Sequence, residues 1–174
     1  MCTMEYKSSN DLYVIPQIMQ GTTPIFPVDT PNNFSVPFQL SVPFYYGPGV
    51  QPISLTSTEP AVGSIAVVSG WGQFSESDTT LPSQLQAVNV FILSRPECDY
   101  IFGSGVITEN KFCTDVPGGG NGYCFGDQGG PLVADGQLVG IVHSGNGCAA
   151  FYHPGIYSNI ATLKDFITEQ TGVQ

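Results

Sequence analysis

Residues 126–139 read Gly126-Asp127-Gln128-Gly129-Gly130-Pro131-Leu132-Val133-Ala134-Asp135-Gly136-Gln137-Leu138-Val139. The second half is a hairpin signal: two apolar runs flank Asp135-Gly136, a dipeptide that supports the positive φ angles of a tight turn. The first half is glycine-rich and holds one amide, Gln128. Outward from this stretch the same grammar repeats. Residues 64–68 and 85–93 read as strands rich in β-branched residues. Ser94-Arg95-Pro96-Glu97 forms a capping-box pattern that opens a short helix around Cys98. The reading predicts a further strand over 107–113. Ile160, Leu163, Phe166 and Ile167 recur at helical spacing, so the chain ends in an amphipathic helix over 160–170. Short strands, frequent turns and one terminal helix fit an all-β antiparallel barrel.

Composition agrees. The chain has 174 residues, 41% hydrophobic and 10% charged, enough to bury the core of one ordinary domain. Its 21 glycines and 14 prolines suit many turns. The net charge is -10, with Lys7, Arg95, Lys111 and Lys164 as the four cations. That balance disfavours nucleic acid and anionic membrane surfaces as partners. No run of about 18 apolar residues is present, so no membrane-spanning helix is expected. His143 and His153 are the two histidines, and neither has metal-ligand spacing to a second donor. Gly118-Gly119-Gly120-Asn121-Gly122 lacks the lysine a phosphate loop needs. No metal and no cofactor is expected.

Four signatures in order carry a family resemblance. Val50-Gln51-Pro52-Ile53-Ser54-Leu55, Ser69-Gly70-Trp71-Gly72, Gly126-Asp127-Gln128-Gly129-Gly130-Pro131 and Pro154-Gly155-Ile156-Tyr157 resemble, at matching spacing, motifs of the chymotrypsin/trypsin-like serine peptidases. The resemblance implies a chymotrypsin-like fold: a complete C-terminal six-stranded barrel with its helix over 49–174, and over 1–48 the remnant of an N-terminal barrel with its crossing segment. Seven prolines before residue 49 agree that this region holds no long helix. Most of the first barrel's counterpart would precede Met1, leaving open strand edges.

The resemblance also places the family's catalytic groups, and this chain departs from them. Gln128 stands where the family carries its nucleophilic serine. An amide has no ionisable proton and a delocalised nitrogen lone pair, so a neighbouring base cannot make it a nucleophile. A gap-free alignment through Gln39-Leu40 puts Phe34 at the position of the aspartate that orients the base; Asp11 would require an insertion of more than twenty residues. A phenyl ring cannot accept the imidazole's hydrogen bond. The histidine motif is absent, and His143 and His153 match no base position.

What remains is implied residue by residue. The backbone N–H groups of Gly126 and Gln128 correspond to the oxyanion hole. The specificity pocket corresponds to Gly122 at its base, then Tyr123, Phe125 at the entrance, His143 and Ser144 on the pocket strand, and Gly145 and Gly155 as walls. With no acid at Gly122, an open pocket for an apolar side chain is expected. Ser144 replaces an aromatic that supports bound peptide. Asp127 corresponds to a buried carboxylate that pairs with a new N-terminal ammonium in active relatives. Without that partner the loop is expected to stay zymogen-like, or the carboxyl to be hydrated or protonated. Disulfides are implied between Cys98 and Cys113 and between Cys124 and Cys148, while Ala66 and Ala134 replace a third pair. Cys2 is left over.

Disulfides imply an oxidising, extracellular setting, although the first residues lack a signal-peptide pattern. Asn33-Phe34-Ser35 is a formal glycosylation sequon, expected to be unused. Three functions follow: a non-catalytic homologue that binds a protein or peptide partner (a protease, an inhibitor or a cascade component); a serine-type endopeptidase with an apolar pocket, as family membership would imply; or a truncated product without function.

Overall fold

The computed structural model describes residues 13–16, 25–27, 35–37, 45–116, 118–119, 122–145, 147–148 and 153–171. Cys2, Asp11, Asn33 and Phe34 lie outside them. In chain order the described strands are β1 (Tyr13–Pro16), β2 (Ile25–Pro27), β3 (Ser35–Pro37), β4 (Val50–Leu55), β5 (Ile65–Gly70) and β6 (Gln86–Ile92), followed by helix α1 (Arg95–Phe102). Then come β7 (Lys111–Asp115), β8 (Pro131–Ala134), β9 (Gln137–Gly145), β10 (Gly155–Asn159) and helix α2 (Ile160–Thr171).

Six of these strands close a ring. The order β9-β10-β7-β6-β5-β8 returns to β9 through the β8–β9 pair, and every neighbour is antiparallel. This is the closed antiparallel barrel of the chymotrypsin fold, with a C-terminal helix against it. Strand β4 joins from outside, parallel to β9 at Ser54–Gln137 and Leu55–Leu138, and β1 runs parallel to β4. Strands β2 and β3 form a separate two-stranded sheet.

Alternation along the strands aims one face inward. Ala66 and Val68 of β5, Val90 and Ile92 of β6, Phe112, Leu132, Val142 and Tyr157 are buried together. The Phe112 and Tyr157 rings stack with centroids 5.9 Å apart. Gly140 is needed here, since a Cβ on it would meet Phe112 at 3.0 Å and Tyr157 at 3.2 Å. A second cluster docks α2: Ile160 and Ile167 pack with Ile53, Leu55, Leu138 and Ile141. The helix is fixed at its start by the Asn159 side-chain oxygen, which accepts the Ala161 N–H at 3.1 Å. Lys164 Nζ donates to the Leu55 carbonyl and to Ser57 Oγ, tying the helix to the end of β4.

Local signals are realised at two places. Ser94 caps α1 with both arms of the capping box in place, and Pro96 sits in the first turn. Asp135 and Gly136 both take positive φ, 50° and 72°, in the β8–β9 turn. The strand expected over 107–113 is a correction: only Lys111 to Asp115 is extended. The Arg95 guanidinium takes the carbonyls of Ile107 and Thr108 at 3.0 and 2.7 Å. Gly103 and Gly105 take positive φ in the turn before them. Those carbonyls therefore serve a side chain rather than a neighbouring strand.

Both implied disulfides are present. Cys98–Cys113 ties α1 to β7, and Cys124–Cys148 ties the loop before β8 to the segment after β9. Extending the β5–β8 register by one residue from Val67–Val133 sets Ala66 opposite Ala134. Ala134 packs against the cluster that holds Ala66.

Candidate active-site remnant

The loop from Gly122 to Gly130 carries the candidate site and is held on both sides. Gly129 N–H donates to the Val142 carbonyl, and Val142 N–H donates to the Gly130 carbonyl, both at 2.9 Å, so the turn is pinned to β9. Asp127 anchors it from below. One carboxylate oxygen accepts the Gly72 N–H at 2.7 Å and the other accepts the Cys124 N–H at 2.9 Å.

The Ser69-Gly70-Trp71-Gly72 signature thereby acquires a local reason. A Cβ on Gly70 would drive into the Asp127 carboxylate, and one on Gly72 would meet both carboxylate oxygens at 2.5 and 2.6 Å. Burial pushes the Asp127 pKa up, while the amides of Cys124 and Gly72 hold it back. The expectation of an unpaired charge is thus modified: two backbone donors serve the carboxylate. Beside it lies a cavity of about 150 Å³, lined by Val68, Gly70, Gly72, Phe74 and Val88 among others.

Gln128 is exposed at the top of this loop. Its side chain folds back, and Oε1 accepts the Gly126 N–H at 2.9 Å. Gly126 has φ of 98°, a left-handed conformation that glycine adopts without strain. The Gly126 N–H expected to remain open to an incoming oxygen is therefore already taken by the chain's own amide.

The expected open apolar pocket is a second correction. Tyr123 is only 3% exposed, and its ring lies between the two wall glycines. A Cβ on Gly145 would run into the Tyr123 ring and hydroxyl, and one on Gly155 would meet Tyr123 Cδ1 at 2.9 Å. What remains beneath the ring, among Gly122, Thr114, His153 and their neighbours, is a space of about 10 Å³, at the lower limit for one water. Burial pushes the Tyr123 pKa up to about 12, with the Glu76 carboxylate adding to the rise. Glu76 reaches across from the loop after Gly72, and its Oε1 accepts the Cys148 N–H at 3.2 Å.

The other pocket positions are arranged around this core. Phe125 is 48% exposed at the mouth. His143 and Ser144 are half-buried, with His143 Nδ1 and Ser144 Oγ 2.7 Å apart. They meet because β9 bulges there: Ile156 pairs with Ser144 but Tyr157 with Val142, leaving His143 as the extra residue. His153 Nδ1 is buried with no hydrogen-bond partner among the described residues.

Two features escaped the sequence reading. Tyr123 was legible as a pocket residue, and its bulk between two glycines was the available signal that it fills the space. Glu76 gave no signal, because its partner Cys148 is 72 residues away.

Comparison with known proteins agrees with this geometry. The trypsin family model matches residues 26–167. Trypsin alpha of Drosophila melanogaster is 40% identical over 139 residues, covering 78% of this chain and 53% of that protein. Trypsin beta of Drosophila erecta is 42% identical over the same length and coverage. Among solved structures, neuropsin, a serine protease expressed in the limbic system of mouse brain, superposes with a TM-score of 0.76 at 30% identity. That match covers 86% of this chain and 68% of the other. The chain spans about half the length of the curated relatives it matches. By sequence, fold and disulfide pattern, the chain belongs to the trypsin family of serine proteases.

Proposed function

We propose that the chain is a non-catalytic member of this family, secreted, and that it acts by binding a protein or peptide partner such as a protease, an inhibitor or a cascade component. One observation carries the reading: Gln128 stands at the nucleophile position with its amide oxygen on the Gly126 N–H. Acyl transfer needs a nucleophile and a pair of oxyanion donors at this point; Gln128 supplies no nucleophile, and one of the two donors, the Gly126 N–H, is occupied. The placement of Phe34 at the aspartate position, from the gap-free alignment, supports the same reading. Two disulfides fit an extracellular location. The net charge of -10 favours a basic partner surface, and charge complementarity would speed its capture. In this reading residues 1–48 belong to the first barrel and its crossing segment, and 49–174 form the binding unit.

Family membership alone favours the second reading, a serine-type endopeptidase. A fluorophosphonate probe for activated serines separates the two. The native protein and a Gln128→Ser variant should both remain unlabelled and hydrolyse no peptide. Labelling of the native protein would refute the proposal. Labelling of Gln128→Ser alone would mean that the nucleophile is the single missing part.

A further inference from the structure

We propose that Glu76 and His153 are the two halves of a latch across Gly147, and that protonation of the histidine closes it, fixing the 73–78 loop against the wall of the pocket. The inference goes beyond the binding role proposed above and rests on the geometry of the pocket loops alone.

The 73–78 loop is a strap braced within itself. The Asp78 carboxylate accepts the N–H groups of Phe74 and Ser75 at 3.1 and 2.9 Å, and the Gln73 side chain donates to the Asp78 carbonyl at 2.6 Å. At the base of the strap the Gln73 N–H donates to the Phe125 carbonyl at 2.9 Å. At its tip Glu76 Oε1 accepts the Cys148 N–H at 3.2 Å, the long end of the range for such a bond.

Gly147 leaves the gap that a latch needs. It takes φ of 82°, and a Cβ there would run into Glu76 Oε1 and lie 3.0 Å from His153 Nδ1. The two side chains thus face one another across the space of one carbon atom. No hydrogen bond joins them: His153 Nδ1 is buried and has no partner among the described residues. Acid–base chemistry accounts for the open contact. With its proton on Nε2, a neutral imidazole turns a lone pair toward the carboxylate, and two acceptors do not bond. Protonation places an N–H on Nδ1, and the pair becomes a charge-assisted hydrogen bond. Histidine side chains make this change between about pH 5 and 8.

The other groups around the histidine favour Glu76 as its partner. His153 shares the small space beneath the pocket with Asp115, Tyr123 and Tyr157, and none of the cations Arg95, Lys111 and Lys164 lines it. Asp115, at the end of β7, is the rival carboxylate, but its Oδ1 already accepts the Val116 N–H at 2.8 Å. Burial keeps both tyrosine hydroxyls protonated throughout this range. Asp127, whose charge reaches Tyr157, is engaged by the N–H groups of Gly72 and Cys124. Glu76 Oε1 alone among these groups meets His153 Nδ1 at the Gly147 gap.

Amide hydrogen exchange reads the latch at the Cys148 N–H. Corrected for the intrinsic exchange rate, its protection in the native protein should be roughly fivefold greater at about pH 5.5 than at about pH 8, the scale of one partly exposed ion pair. Glu76→Gln keeps an acceptor for the Cys148 N–H but loses the charge, and His153→Asn loses the switch; each should abolish the pH dependence. Asp115→Asn should retain it. Equal protection at the two pH values in the native protein would overturn the inference without any variant. A dependence that survives in Glu76→Gln and vanishes in Asp115→Asn would overturn it in favour of the rival carboxylate. None of these results bears on whether the protein turns over substrate, so this test and the fluorophosphonate test fail independently.

Discussion

Replacing Gly72 with alanine tests the most specific contact in the structure. The new Cβ would lie 2.5 and 2.6 Å from the two carboxylate oxygens of Asp127. Backbone cannot yield easily there, because Gly70 meets the same carboxylate from the adjacent turn. The carboxylate must move, and it then loses the Gly72 N–H at 2.7 Å and the Cys124 N–H at 2.9 Å. Hydrogen bonds to a charged group contribute roughly 1.5–3 kcal/mol each, and the partly exposed site argues for the lower end. The expected loss is therefore about 3 kcal/mol, or a Tm lower by roughly 10 °C for a domain of this size. The assay is urea or thermal unfolding of four proteins: native, Gly72→Ala, Asp127→Ala and the double variant. If the clash with Asp127 is the cause, Gly72→Ala costs almost nothing once Asp127 is alanine. An equal cost in both backgrounds would refute the reasoning, because the glycine would then serve some other purpose.

Three further outcomes are expected. Ser94→Ala removes one arm of the capping box and should cost about 1 kcal/mol in urea unfolding, with helix α1 fraying first by amide exchange. Ala66→Cys with Ala134→Cys should form a bridge under oxidising conditions, read as a mass about 2 Da lower than the reduced form, and raise stability by about 2–4 kcal/mol. The folded protein holds the Asp127 proton more tightly than the unfolded chain, because the folded pKa is raised above its ordinary value of 3.8. This contribution to stability is full below that value and fades as pH climbs through the raised one. The unfolding free energy of the native protein minus that of Asp127→Asn should therefore fall as pH rises from about 4; a difference that rises over that range would contradict the burial-driven shift.

Much of the fold was written locally. The capping box at Ser94 and Glu97 and the Asp135-Gly136 turn depend on residues a few positions apart, so the sequence displays both partners together. The disulfides and the barrel came from the family resemblance, which condenses long-range pairing into motifs. What escaped was set by contacts across the chain. Ile107 and Thr108 are strand-favouring residues, yet Arg95 takes both of their carbonyls. The resemblance implied a free Gly126 N–H, but the Gln128 side chain turns back on it by its own rotamer, which no motif encodes. Tyr123 was placed in the pocket by alignment, while its filling of that pocket follows from the absence of side chains at Gly145 and Gly155.

The closed ring of β5 to β10 carries a consequence for how this chain can be cut. Its circuit of backbone pairing is complete between Ile65 and Asn159, and among the described residues β4, α1 and α2 lie against its outside. The segment just before β4 offers Tyr45 at 89% exposure, followed by Gly47 and Gly49 with no atom near their faces. A digestive enzyme could cut at this exposed stretch without touching a strand of the ring. The product would keep both disulfides, the helix and the whole ring, a fragment able to outlast its parent in a protease-rich fluid.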